Sequence, residues 1–131
     1  MKLKVSRAEM WTATIEDRAG GAAEKLEPLA KAGASLEVLI SRRAPGEPGK
    51  GVLQVSPIKG AKALRAAQEA GLARSETAHR LRIEGADKPG MSAKMARALA
   101  DAGISFRSIS AMAIGTKFVA YLSLDTELLK L

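Results

Sequence analysis

The chain has 131 residues, of which 21 are Lys or Arg, 14 Asp or Glu, one His and none Cys. That length predicts one ordinary domain or two very small ones, and 47% apolar with 27% charged residues describes a globular chain rather than a disordered one. The lack of cysteine excludes disulfides, thiolate metal sites and a cysteine nucleophile, and makes the cytoplasm the expected location. No apolar run approaches the roughly 18 residues that span a bilayer, so no membrane partner is expected. Met1 to Val5 is charged and leads into no apolar segment, so no signal peptide is expected either.

The elements follow from periodicity. Met10 to Glu16 alternates, with Trp11, Ala13 and Ile15 on one face, and predicts a half-buried strand. A short loop with Asp17 and Gly20 follows, then a helix with Ala22, Leu26, Leu29 and Gly33 on one stripe; Pro28 inside it removes a hydrogen bond to the Glu24 carbonyl and predicts a bend. Ser35 to Arg43 reads as a strand, 44–51 as a Pro/Gly-rich loop, Val52 to Ser56 as the returning strand, and Ala61 to Ala70 as a helix closed by Gly71. Leu72 to Ala78 is polar and offers no clear closing strand. His79, Leu81 and Ile83 then alternate with Arg80, Arg82 and Glu84, and a helix follows with Met91, Met95, Leu99 and Ala102 on one stripe. Ser105 to Ile114 and Lys117 to Leu124 are strands joined by the two-residue connection Gly115-Thr116, and Thr126 to Lys130 is barely one helical turn.

The chain repeats itself. At an offset of about 70, Asp17-Arg18-Ala19-Gly20 falls on Asp87-Lys88-Pro89-Gly90, and residues 29–36 fall on 99–106. Asp17, Gly20, Ala23, Leu29, Ala30, Ala32, Gly33 and Ser35 all recur. Upstream, Ile15-Glu16 matches Ile83-Glu84, so the second loop is two residues longer. The repeat divides the chain into units 1–73 and 74–131, each reading strand, helix, strand, strand, helix, the second ending short of its closing elements. The expected fold is α+β: ferredoxin-like βαββα(β) units in tandem, with antiparallel sheets and helices on one face.

Two such units, with Asp-x-Pro-Gly between first strand and first helix, resemble the ACT domain, the ferredoxin-like module of amino-acid-responsive regulatory proteins. The resemblance rests on residues 83–91 and 102–106, with a weaker copy at 15–21 and 32–36. It implies a non-catalytic sensor module that binds an amino acid or related carboxylate and needs no cofactor; units this small bury little core, so they are expected to pack together and to form a homodimer. The implied ligand residues are Asp87, Lys88, Pro89, Gly90, Met91, Ile104 and Ser105 in the second unit, and Asp17, Arg18, Gly20, Gly21 and Ser35 in the first. Where family members often carry Asn two residues after the helix-ending glycine, this sequence has Ser35 and Ser105, and Ala19 stands where the family has Pro.

The residues themselves support two readings of these loops. Gly20 and Gly90 lack a Cβ and let backbone approach a ligand, while the helix that follows offers unpaired N–H groups and the positive end of its dipole to a carboxylate. Asp17 or Asp87 then accepts an ammonium group, and Ser35 or Ser105 adds a hydroxyl. Pro89 stiffens the second loop, which ranks it above the first. Equally, Asp-x-Pro-Gly is helix-start chemistry, with Asp as the cap and Pro in the first turn. On that reading the protein is a dimerisation or interaction module with structural loops. Nucleic acid is a weaker third reading: four aromatics are thin material for base stacking, and Lys117-Phe118-Val119-Ala120-Tyr121 lacks the lead-in of an RNA-recognition strand. His79 aligns with Trp11 as a strand residue and has no metal partners; no nucleophile stands beside a base. Arg42-Arg43, beside the Pro/Gly loop, is the one basic pair that stands out.

Overall fold

The computed structural model describes residues 3–74 and 80–124. Its elements are β1 (Leu3–Arg7), β2 (Trp11–Glu16), α1 (Ala23–Lys31), β3 (Val38–Arg43), β4 (Lys50–Ser56), α2 (Ala61–Glu69), β5 (Ala73–Arg74), β6 (Arg80–Ala86), α3 (Met91–Asp101), β7 (Phe106–Ile114) and β8 (Lys117–Leu124). They form an α+β, ferredoxin-like arrangement of two antiparallel sheets, in the orders β3-β4-β2-β5 and β1-β6-β8-β7. His79 and the helical turn expected at Thr126 to Lys130 lie outside the described residues.

The two compact units are not consecutive. One, the continuous unit, is Glu9–Ser75; the other, the split unit, joins Met1–Ala8 to Glu76–Leu131. This differs from a cut after residue 73, because β1 leaves the sequence neighbourhood in which it begins. It pairs antiparallel with β6, Leu3 opposite Gly85 and Arg7 opposite Leu81, and so takes the edge place that β5 takes beside β2. The closing strand missing from the end of the second repeat is thus supplied by the first residues of the chain. In the continuous unit the closing strand is β5, two residues long, with Trp11 opposite Arg74.

Alternation places one face of each sheet in a core. In the continuous unit Trp11, Ala13 and Ile15 on β2 and Leu53 and Val55 on β4 pack with Leu29 of α1 and Ala63 and Ala67 of α2. In the split unit Leu81, Ile83, Phe118, Ala120 and Leu122 pack with Met91, Met95 and Leu99 of α3. Helix α2 presents the alanines Ala63 and Ala67 to its core, whereas α3, the counterpart of α1, presents Met91, Met95 and Leu99. Helix α1 runs on past Pro28, whose carbonyl accepts from the N–H of Ala32.

Helix ends repeat in detail. The N–H groups of Ala34, Leu72 and Ile104 bond to the carbonyls of Leu29, Ala67 and Leu99, and those of Gly33, Gly71 and Gly103 to Ala30, Gln68 and Ala100. This is the double bond of a Schellman ending, in which a glycine turns the chain off the helix and the last carbonyls are satisfied.

Candidate functional site

The loops between β2 and α1 and between β6 and α3 share one backbone design. Gly20 and Gly90 sit at φ +88° and +87°, a conformation that a side chain strains. Beyond them, Gly21 N–H bonds to Arg18 O and Met91 N–H to Lys88 O, while Glu24 N–H bonds to Gly20 O and Lys94 N–H to Gly90 O. The aspartates are therefore not helix caps: neither α1 nor α3 has a side-chain cap bond, and the residues in the cap positions are Ala22 and Gly90. The left-handed glycine turns the loop back on itself, so early amides find loop carbonyls, and Asp17 and Asp87 lie too far upstream to reach them. Pro89 likewise precedes α3 rather than occupying its first turn.

In the continuous unit the loop borders a cavity of about 280 Å³ lined by Ile15, Glu16, Asp17, Arg18 and Ala22 from one side and by Ser41, Arg42, Arg43 and Gly51 from the other. Folding thus brings the flagged basic pair to the candidate loop, which sequence spacing alone did not reveal. Arg43 Nε donates to Asp17 Oδ2 at 2.8 Å. Arg18 pairs with Glu24, and its guanidinium also donates to the carbonyl of Ala19. The hydrogen bond that Arg18 donates to Glu24, with that carboxylate's charge, raises the Arg18 pKa above its ordinary value. Arg42 has no ion-pair partner among the described residues. Arg42 thus lines the same cavity as the Asp17 carboxylate, which Arg43 already orders.

Two glycines shape this corner. A Cβ on Gly21 would lie 2.1 Å from the Glu16 carbonyl oxygen, so only glycine fits. A Cβ on Gly51 would lie 3.0 Å from the Arg42 carbonyl oxygen and 3.2 Å from Cγ1 of Ile15. In the split unit Met91 stands where Gly21 stands, and Ala120, opposite Ile83 as Gly51 is opposite Ile15, stands where Gly51 does; both are buried in its core with Phe118. The residues 70 positions on from Arg42 and Arg43 are Met112 and Ala113.

The remaining candidates are spread out. Asp87, Lys88, Pro89 and Gly90 are exposed, Met91 and Ile104 are buried, and Ser35 and Ser105 are exposed at the starts of the segments that follow the helices. The Asp87 N–H bonds to Thr116 O, tying the second loop to the β7–β8 turn, as Asp17 N–H bonds to Gly49 O in the first. Ser35 does not line the cavity beside Arg42.

One charged cluster was not legible in the sequence. On the split unit's sheet, Glu84 Oε1 lies 3.0 Å from Lys117 Nζ and its Oε2 3.0 Å from Arg82, whose Nε also donates to the Tyr121 hydroxyl. Hydrogen bonds from Lys117 and then Arg82, with the charges of both, hold Glu84 at a pKa of about 2. The matching Glu16 pairs with Lys50 at 2.7 Å, and that single partner lowers its pKa too. The Glu16–Lys50 pair balances its charge, whereas the two cations on Glu84 leave that cluster with one net positive charge. Among the described residues no group of acidic or histidine side chains could hold a metal ion, and no helix is long and apolar enough to cross a membrane.

Comparison with known proteins places this geometry in a family context. The ACT domain profile matches residues 79–129. No curated protein sequence matches the chain. Among solved structures, a protein from Bacteroides thetaiotaomicron superposes with a TM-score of 0.77 at 20% identity, over 93% of this chain and 82% of that one. The ligand-free regulatory subunit of aspartate kinase from Thermus thermophilus superposes at 0.64 and 18% identity, over 92% and 86%. The corresponding subunit from Thermus flavus gives 0.60 and 18%, over 94% and 88%. An ACT domain is therefore present, and the fold of the described chain is that of aspartate kinase regulatory domains.

Proposed function

We propose that this protein is a non-catalytic, cytoplasmic regulatory module of two ACT units that binds a small amino acid or similar carboxylate at its strand–helix loops. What supports a second unit in Glu9–Ser75 is the recurrence, 70 residues on, of the same loop and helix-end hydrogen bonds. The observation that carries the ligand reading is the cavity beside β2, with Asp17 and Arg42 on its walls. A zwitterion fits such a pair: its carboxylate meets the Arg42 guanidinium and its ammonium meets the free oxygen of Asp17. This reading puts the first loop ahead of the stiffer second loop, whose corner is apolar.

The test is a thermal-shift screen with the twenty amino acids on the wild type, Gly20→Val and Gly90→Val. The two glycines have nearly the same φ, so both variants carry similar backbone strain and differ in the loop they obstruct. One or a few amino acids should raise the melting temperature, and Gly20→Val should abolish the shift while Gly90→Val keeps it. The reverse pattern moves the site to Asp87–Met91 and Ser105; no shift with any amino acid removes the ligand reading.

One observation favours a homodimer, and with it the plainer reading of a dimerisation module. Strand β7 is an outer strand of its sheet, and Phe106, Ile109, Met112 and Ile114 on it are 37–63% exposed. A long apolar edge strand is a template for pairing with another copy. Sedimentation of the wild type against Met112→Lys tests it: a dimer that dissociates in the variant supports the pairing, and a wild-type monomer refutes it.

A further inference from the structure

The continuous unit has a second concave feature, unconnected with the loop. Helices α1 and α2 pack side by side and leave between them an open groove of about 620 Å³. Its floor is made of small groups, Pro28 and Ala32 from α1 and Ala66 and Ala70 from α2. Its rim carries Lys25 and Lys31 from one helix and Lys62 and Arg65 from the other, against the two carboxylates Glu24 and Glu69. Lys25 is used internally, donating to the Ala70 carbonyl at the end of α2, and Glu24 is answered by Arg18. Lys31, Lys62 and Arg65 are exposed and have no ion-pair partner among the described residues. Lys62 also stands in the first turn of α2, which has no acidic residue there, so its charge opposes the helix dipole.

We propose that this groove docks an acidic segment of a partner protein: a helix or extended peptide whose Asp and Glu side chains reach Lys31, Lys62 and Arg65 while its small or apolar side chains rest on the Pro28–Ala66 floor. Charge complementarity selects this occupant. A second copy meeting the same face about a twofold axis would gather Lys31, Lys62 and Arg65 of both copies in one seam, with only Glu69 of each to answer them. A nucleic acid strand would find no aromatic side chain to stack on, and would bring its phosphates to Glu69. An acidic segment presents discrete charges three or four residues apart, with apolar side chains between them, which suits a floor of alanine and proline. The proposal does not depend on whether the loop binds a ligand.

The probe is a fluorescein-labelled, amidated peptide of about 16 residues, or four helical turns, of alternating Glu and Ala/Leu blocks with Glu at i and i+4. Its anisotropy is measured on the full chain, with a Gln-for-Glu peptide and a single-stranded RNA of similar length beside it. The acidic peptide should bind saturably and weaken with salt, and the Gln peptide should not bind. Lys62→Glu and Arg65→Glu should each weaken binding about tenfold, the scale on which reversed charges act at an interface. Arg97→Glu, the same charge reversal at an exposed position of α3, should leave it within about twofold. Lys31→Glu, on the opposite wall, should behave like Lys62→Glu and guards against a fold defect in α2, with circular dichroism melts confirming each variant folded. Equal weakening by Arg97→Glu, tighter binding of the RNA, or no saturable peptide binding overturns the proposal.

Discussion

The corner where the first strand meets the first helix is built twice in this molecule, on the same backbone, with opposite fillings. In the continuous unit it has Gly21 and Gly51 at its inner positions and Arg42 and Arg43 at its edge, and it holds a cavity. In the split unit the inner positions are Met91 and Ala120, buried in the core with Phe118, and the residues 70 positions on from Arg42 and Arg43 are Met112 and Ala113. The hydrogen bonds of the loop are indifferent to this exchange. A repeated scaffold can therefore keep one corner open and charged while the other becomes core, and the difference lies in side chains that leave the fold unchanged.

The sharpest way to break the comparison is to exchange the fillings. Gly21→Ala places a Cβ 2.1 Å from a backbone oxygen and should cost about 3 kcal/mol through overpacking. Met91→Ala at the matching position empties a buried site and should cost about 2–5 kcal/mol for the opposite reason. Urea denaturation of both variants checks this; a neutral Gly21→Ala would mean that the loop yields and that the two corners are less different than their packing implies.

Next in size is the strand that makes the split unit split. Five cross-strand pairs join β1 to β6, and pairs of this kind contribute about 0.2–1 kcal/mol each. Removing residues 1–8 should destabilise the split unit by about 1–5 kcal/mol on that scale. Hydrogen exchange should then show loss of protection in β6 and β8 while β2 and β4 keep theirs. Equal loss in both sheets would mean that the two units unfold as one.

How much of this was legible in the sequence follows from which contacts are local. Strands β2, β4, β6 and β8 announce themselves by alternation, and the helix ends by glycines, because each of these signals lies within a few residues. Strand β1 did not: Leu3 and Val5 alternate with lysines and a serine, too short a pattern to stand out, and the partner that makes it a strand is about 80 residues away in β6. Arg42 was visible as one of a basic pair, yet its place beside Asp17 depends on the β3–β4 hairpin folding back along β2. The expected aspartate caps failed for a local reason, the positive φ of Gly20 and Gly90, which residue identity permits but does not dictate.

A smaller effect sharpens the charged side of the comparison. Arg42→Ser removes from the first corner a cation with no ion-pair partner among the described residues, and Met112→Ser changes the position 70 residues on. Since Arg42 is exposed and packs no core, its loss should change stability by no more than about 0.5 kcal/mol. If an amino acid shifts the melting temperature of the wild type, that shift should vanish in Arg42→Ser and persist in Met112→Ser. Persistence in both would take the ligand's carboxylate away from Arg42, to the backbone amides or to Arg18 and Arg43 of the same cavity.

The smallest effect concerns acid. Glu84 and Glu16 occupy matching places on the two sheets, but Glu84 has two cationic partners and Glu16 one. Both are more acidic in the folded chain than the ordinary 4.5, so each adds stability that is fully present above that value and is withdrawn as protons bind. For Glu84 the withdrawal extends down to its folded pKa of about 2, so the window runs from about pH 4.5 to 2. Glu84→Gln should therefore lower the urea midpoint at pH 7, and its difference from wild type should shrink steadily as the pH falls through that window. Glu16→Gln should show the same sign with a smaller difference, because Lys50 is its one ion-pair partner. A Glu84→Gln difference that stays constant from pH 7 to 2 would mean that Arg82 and Lys117 hold the side chain by shape and not by charge, and the two sheets would then differ in packing alone.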